Sequence, residues 1–245
     1  MSLSAAKPFH SQSYGYNLEI PDDWIQIPQE ALQQAHDATF KGESSALVIY
    51  DSGFQHGSGE TWFTSPYVII QPMPYAKLGI KRQVNEDEFP KCVRLITGQD
   101  MKKQLDKNVT QHVRQLMSNI VKDKGQLDAA NRRYFWTFNM DLAGVGPIRG
   151  LCVGHFGRES IVQVLFYTDA ASWDSYEDAR LSMMDSFRFD PDKAYSAAVA
   201  AANPTPKAFL VRLVERSLIV GAVSGAIAAL IAVITAAVRR KSQRA

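Results

Sequence analysis

The chain has 245 residues, 46% hydrophobic and 21% charged, with a formal net charge of +2; this composition excludes a largely disordered chain and leaves room for one domain of about 190 residues. The charge is unevenly divided, residues 1–206 carrying 20 Lys/Arg against 24 Asp/Glu and residues 207–245 carrying 7 against 1. The main body is therefore mildly acidic and has no Lys/Arg stripe interleaved with aromatics, which excludes nucleic acid as the expected partner.

The opening residues hold neither the apolar core of a secretory leader nor an Arg-rich transit pattern, so export through a cleaved peptide is not expected, and residues 1–12 read as a polar leader. Tyr16, Leu18 and Ile20 then share one side of a short strand that Pro21 stops, and Trp24 and Ile27 should fold back onto it. Pro28 suits the first turn of a helix over 29–38 with Ala31, Leu32 and Ala35 on its apolar face and Gly42 beyond its end. The apolar runs 46–50 and 66–71 are too short for buried helices and predict strands, joined by a glycine-rich loop. Glu86-Asp87-Glu88 starts an acidic helix interrupted by Pro90 and Gly98. From Met101 the positions Leu105, Val109, Val113, Leu116 and Ile120 predict an amphipathic helix ended by Gly125.

The strongest strand signal is 133–142, where Tyr134, Trp136, Phe138, Met140 and Leu142 alternate with more polar neighbours. The glycines of 144–150 read as a hairpin turn, since no helix or lysine of a phosphate cradle follows them. Residues 149–156 and 160–168 form a hairpin turning at Gly157-Arg158-Glu159. Ser172 can cap a last helix with Asp174, Glu177 and Asp178 in its first turn and Trp173, Tyr176, Met183 or Met184 and Phe187 as its buried stripe. Cys92 and Cys152 read as two buried free thiols.

After Pro191 the composition falls to Ala, Ser, Asn and Pro, so 13–192 is the expected domain, expected to fold alone, and 193–206 a linker. Residues 207–245 form a juxtamembrane turn and an anchor. The run 217–238 carries no charge and ends at Arg239-Arg240-Lys241; at 1.5 Å per residue it is about 33 Å long, enough to cross a hydrocarbon core of about 30 Å. Ser217, Gly221, Gly225 and Ala229 recur every four residues, a small-residue face that predicts a homodimer through the anchor. Cationic residues flank both ends of the span, so charge does not set the orientation; the missing leader predicts a cytoplasmic domain on a single-pass tail anchor.

The order of elements is that of an α+β fold with a largely antiparallel sheet. The opening Tyr16-x-Leu18-x-Ile20-Pro21-x-x-Trp24, the strand 162–167 and the helix end Met184-Asp185-Ser186-Phe187-Arg188-Phe189 resemble the PsbP-like family over residues 13–190. The resemblance implies an α/β/α sandwich, shared with the Ran-binding Mog-type proteins, and a binding or assembly role without an active site. The chain departs from the photosynthetic branch in its expected anchor and in the absence of a transit pattern.

No phosphate loop, nucleophile elbow, metalloprotease helix or Cys-x-x-Cys pair occurs. The best candidate for a ligand site is the glycine-rich stretch holding Asp51, His56 and Glu60, an imidazole and two carboxylates where backbone amides can approach a ligand. His36, His112 and His155 are too scattered for the usual spacing of zinc ligands, so no metal and no cofactor is expected. Tyr134, Trp136 and Phe138 read as core rather than as a base-stacking platform. The function these features predict is a non-enzymatic, membrane-anchored module binding a protein or small ligand near the membrane surface; the alternative is a membrane-tethered hydrolase or metal-dependent enzyme using the His56 stretch.

Overall fold

The computed structural model describes residues 6–41, 47–78, 83–97 and 109–202. The strands are β1 (Ala6–Ser11), β2 (Tyr16–Pro21), β3 (Trp24–Gln26), β4 (Ser52–His56), β5 (Tyr67–Pro74), β6 (Met117–Lys122), β7 (Gln126–Asp128), β8 (Arg133–Leu142), β9 (Gly146–Phe156), β10 (Ser160–Asp169) and β11 (Arg188–Phe189). The helices are α1 (Gln29–Thr39), α2 (Phe89–Thr97), α3 (Gln111–Gln115), α4 (Glu177–Ser186) and α5 (Ala197–Ala202). The fold is α+β. A large sheet runs β3-β4-β5-β10-β9-β8-β6, with β7 beside the first residues of β8, and a small sheet runs β1-β2-β11. Every pairing among these strands is antiparallel.

The large sheet is buried on both faces because its central strands are apolar on both sides. On β10, Ile161, Leu165 and Tyr167 join one core with Leu32 and Ala35 of α1 and Phe89, Cys92 and Val93 of α2, while Val162, Val164 and Phe166 join a second. The second core is closed by Tyr16, Leu18 and Ile20 of β2, Trp24, and Met183, Met184 and Phe187 at α4. One covering layer is thus helical and the other combines α4 with the small sheet. At β8 the expected alternation is met residue for residue, Tyr134 to Leu142 buried at every second position. Both cysteines are free and buried, and burial pushes the Cys92 thiol up to about 12.

Several expected elements take another form. The strand expected at 46–50 is displaced: Val48 and Tyr50 are buried in irregular backbone, Ala46 lies outside the described residues, and pairing begins at Ser52. The sequence there looks like a loop because its residues serve packing. Gly53 lets Leu32 and Ile27 press onto the backbone, and the buried Gln55 amide donates to the Ser58 and Thr61 carbonyls and accepts from Phe63 N. The long helix expected from Met101 is overturned where it is described: α3 holds only Val113 of the stripe as a buried residue, and Ile120 sits in the edge strand β6 beside β8. Residues 101–108 lie outside the described residues. Pro90 does not interrupt α2 but stands in its first turn, where its missing N–H costs nothing. Ser172 does not cap the last helix: Asp169 caps a short 3-10 turn over Ala170–Ser172, accepting from Ser172 N at 2.9 Å, and α4 starts only at Glu177, after Tyr176 and without a side-chain cap.

Residues 6–11, expected in the polar leader, pair along the whole of β2. The 217–238 run and its small-residue face lie outside the described residues, and no helix among the described residues is long and apolar enough to cross a membrane. The start of the expected linker lies against the domain. Ala194 bridges Gly157, Tyr195 meets the Phe89 ring at 5.4 Å, Gln83 and Ser196 exchange hydrogen bonds, and Ala200 is buried. A chain ended at 192 is therefore expected to lose about 2 kcal/mol against one ended at 202, a fall of roughly 4–8 °C in Tm. Equal thermal midpoints by circular dichroism would show that these contacts contribute nothing.

Candidate functional site

The three residues expected to form a site are not gathered. Asp51 precedes β4 and accepts a 2.5 Å hydrogen bond from the buried Tyr16 hydroxyl, which also lies 2.9 Å from Ser52 Oγ. His56 ends β4, with Nε2 3.2 Å from Asp23 Oδ2 and its ring edge-on to Tyr176 at 5.5 Å. Five strand residues at about 3.3 Å each put the two backbones roughly 16 Å apart. Glu60 is exposed in the turn beyond. Asp51 thus anchors the small sheet to the large one, and His56 pairs across to Trp24 of β3; at that separation the two backbones do not bring the pair to one reacting atom. The three histidines weighed as metal ligands stay separate, His36 on Asp37 at 2.8 Å, His112 exposed on α3, and His155 buried in β9. Among the described residues no three His, Cys, Asp or Glu side chains are grouped to hold a metal.

A different place has the geometry of a binding site. Where the turn into β8 meets the end of β9, a cleft of about 630 Å³ opens, lined by Arg132, Arg133, His155, Asp185, Phe187, Arg188 and neighbours including Tyr195. That volume is in the range of small-ligand sites. The topology assembles it: β8 begins beside the end of β9, pairing Arg133 with His155, and β11 carries Arg188 in from the small sheet. Arg132 holds a left-handed φ of 50° at the turn and leaves its guanidinium on Glu86 at 2.8 Å and over the Tyr195 ring at 5.1 Å. Arg133 donates from Nε to Asp128 at 3.0 Å and from Nη1 to Asp185 at 2.6 Å. Arg188 donates from Nη1 to the Asp185 and Phe187 carbonyls, both at 2.6 Å.

His155 is the unusual member. Its ring stacks on Phe187 with centroids 4.0 Å apart and planes 19° from parallel, it is only 7% exposed, and its buried Nε2 has no hydrogen-bond partner among the described residues. Burial, reinforced by the Arg133 and Arg188 guanidiniums, pushes its pKa down to about 3. It is therefore a neutral imidazole at physiological pH, able to donate or accept one hydrogen bond. An unsatisfied buried polar atom costs about 1–3 kcal/mol, a cost that a ligand hydrogen-bonded there would relieve.

The fold is similar to the solution structure of cyanobacterial PsbP (CyanoP) from Synechocystis sp. PCC 6803, at 12% identity and a TM-score of 0.42, covering 77% of this chain and 95% of that one. It is similar also to LpqN, involved in cell envelope biogenesis of Mycobacterium tuberculosis, at 12% identity and 0.36, covering 76% and 91%. A third likeness is to PA94, a Pseudomonas aeruginosa protein of unknown function, at 10% and 0.25, covering 74% and 95%. No family model and no curated protein matches the chain. Likenesses at these scores assign no function and no site residue.

The sequence pointed to Asp185 and Arg188 only as part of the helix end Met184-Asp185-Ser186-Phe187-Arg188-Phe189, and to His155 only as one of the scattered histidines. One signal was present: His155 is the lone basic side chain inside the run Leu151 to Phe156, an otherwise apolar stretch of a central strand.

Proposed function

We propose that this chain is a non-enzymatic, membrane-anchored binding or assembly module, which takes a protein or small ligand into the cleft between β8, β9 and β11 near the membrane surface. The observation that carries the reading is the cleft itself, whose floor holds an unpartnered, buried imidazole nitrogen beside two arginines. Its position adds support. Ala194 and Tyr195 form part of its wall, and residues 207–245 follow within a short linker's reach, so a ligand held there would sit close to a bilayer spanned by 217–238. We read the domain as PsbP-like in the finer sense because both sequence signatures converge: Tyr16, Leu18, Ile20 and Trp24 pack in one core with Val162, Val164, Phe166, Met184 and Phe187. Such motifs secure the fold and leave binding to the rim.

The test uses the full chain in an uncharged detergent. Ala194→Trp fills the cleft from its rim, so a ligand found by thermal shift at about a hundredfold excess over its Kd should stabilise the parent by about 2.7 kcal/mol and the variant hardly at all. Ligands that stabilise both alike would remove the cleft from the proposal. In the same reading the domain faces the cytoplasm and the anchor self-associates through Ser217, Gly221, Gly225 and Ala229. Protease added to intact cells should then spare the domain, and Gly221→Ile with Gly225→Ile should abolish cross-linked dimer while leaving the chain in the membrane fraction. Digestion in intact cells would overturn the orientation, and an undiminished dimer would overturn the interface.

A further inference from the structure

The ligand class can be taken further on the reading that the cleft is the binding site. We infer that the cleft binds a phosphate-class oxyanion, carried by a small solute or a lipid headgroup, between Arg188 and Arg133 with His155 as the third hydrogen-bonding group.

Three features lead there. Arg188 is the guanidinium of the set whose charge is unspent. Its two bonds run from Nη1 to backbone carbonyls at the end of α4, and no carboxylate among the described residues pairs with it. Those carbonyls fix one arm of the fork, and its Nε and Nη2 donors have no partner among the described residues, a rigid planar pair suited to two oxygens of one anion. Arg133 is balanced by Asp128 and Asp185 through Nε and Nη1, and its Nη2 is the arm not committed to them. His155 then supplies a buried Nε2 without a partner, fixed by its stack on Phe187.

These donors come from three strands, β8, β9 and β11, and so approach from different directions. A planar carboxylate satisfies one fork. A tetrahedral group with three acceptor oxygens can meet Arg188, Arg133 and His155 together. Asp185 also lines the cleft, but its Oδ1 is held by Arg133 at 2.6 Å, so it orients that guanidinium rather than opposing an anion alone. Burial is the main cause of the depressed His155 pKa, and Arg133 and Arg188 add to it, which agrees with two guanidiniums facing the imidazole. The volume of about 630 Å³ exceeds what a bare phosphate fills, and the lining by Phe187 and Tyr195 suits an organic body behind the phosphate.

The experiment is isothermal titration of the full chain in dodecyl maltoside with glycerol 3-phosphate, glycerol and succinate, alongside binding to phosphatidylcholine bicelles with and without phosphatidic acid. The variants are Arg188→Gln, Arg188→Lys and His155→Asn, with Arg158→Gln, exposed outside the lining, as the control. Thermal melts establish that each is folded. Saturable binding of glycerol 3-phosphate but not glycerol is expected, weakened about tenfold or more by Arg188→Gln, less by Arg188→Lys, measurably by His155→Asn and not by Arg158→Gln. Binding to phosphatidic acid bicelles alone, with the same variant order, assigns the phosphate to a lipid headgroup. Equal affinity in the parent and Arg188→Gln overturns the inference. Succinate or glycerol binding as well as the phosphate overturns it while leaving the binding module intact, whereas silence from every phosphate probe overturns it and leaves the module to the Ala194→Trp comparison.

Discussion

Replacing Gly154 by alanine is expected to cost about 3 kcal/mol or more, a fall of roughly 6–12 °C in Tm, although the change adds a single methyl group. The reason lies in how three strands are tied. Gly154 on β9 stands opposite Tyr134 on β8 and opposite Gln163 on β10. The fully buried Tyr134 ring lies across the glycine so that its hydroxyl accepts from Gln163 Nε2 at 2.7 Å. A β-carbon at Gly154 would fall 2.2 Å from ring atom Cζ of Tyr134 and 2.5 Å from its hydroxyl. The ring cannot swing away cheaply, because Phe156 packs beside it at 5.6 Å, and movement would strand the Gln163 amide in the core. Gly150 repeats the arrangement four residues earlier, between Phe138 and Tyr167. Urea and thermal midpoints of Gly154→Ala, Tyr134→Ala and the double variant form the cycle: the double should lose clearly less than the sum of the singles. Strict additivity, or a Gly154→Ala chain that melts with the parent, would mean that the ring is free to move.

The same glycines show what a one-dimensional reading reaches and where it stops. Alternation on β8, the apolar runs of β5 and β10 and the hairpin at Gly157 were legible because one periodicity governs each, and burial on that face is what the fold rewards. Ser52–His56 was not legible, since Gly53 and Gln55 make it polar and small, and their reasons are partners distant in sequence: Leu32 above the glycine, a loop around the amide. The stripe Val113, Leu116, Ile120 misled for the opposite reason. Its spacing suits a helix, but the exposed edge of β8 takes Met117 and its successors as a strand, and tertiary pairing outweighs a short periodic run. The cleft was invisible as a unit. Arg133 and Arg188 are far apart in sequence and meet only because β11 pairs with β2 and α4 lies on the second core. Asp51 and His56 illustrate the converse: near in sequence, they stand at opposite ends of the extended strand β4.

The second large effect is a pH dependence of stability that depends on His155. In the unfolded chain this imidazole takes its proton near pH 6.5; in the folded protein, shut in by Phe187 and facing Arg133 and Arg188, it resists protonation until about pH 3. Between these values the unfolded state holds one proton more than the folded state. Linkage then requires that stability be fully present above about pH 6.5 and be lost as the pH falls, at about 1.4 kcal/mol per unit, or about 2.7 kcal/mol over two units. The window is well placed, because the carboxylates held below their ordinary range by hydrogen bonds, Asp37, Asp128 and Asp190 among them, contribute their own losses only in more acid solution. His155→Gln removes the titrating group and keeps a polar side chain, so the difference between parent and variant isolates it from the other histidines. Urea midpoints of the full chain in uncharged detergent should diverge steadily from about pH 6.5 to about 4.5, the parent falling faster. Parallel curves would mean that the imidazole exchanges protons with water in the folded state, which would contradict a closed floor beneath the cleft.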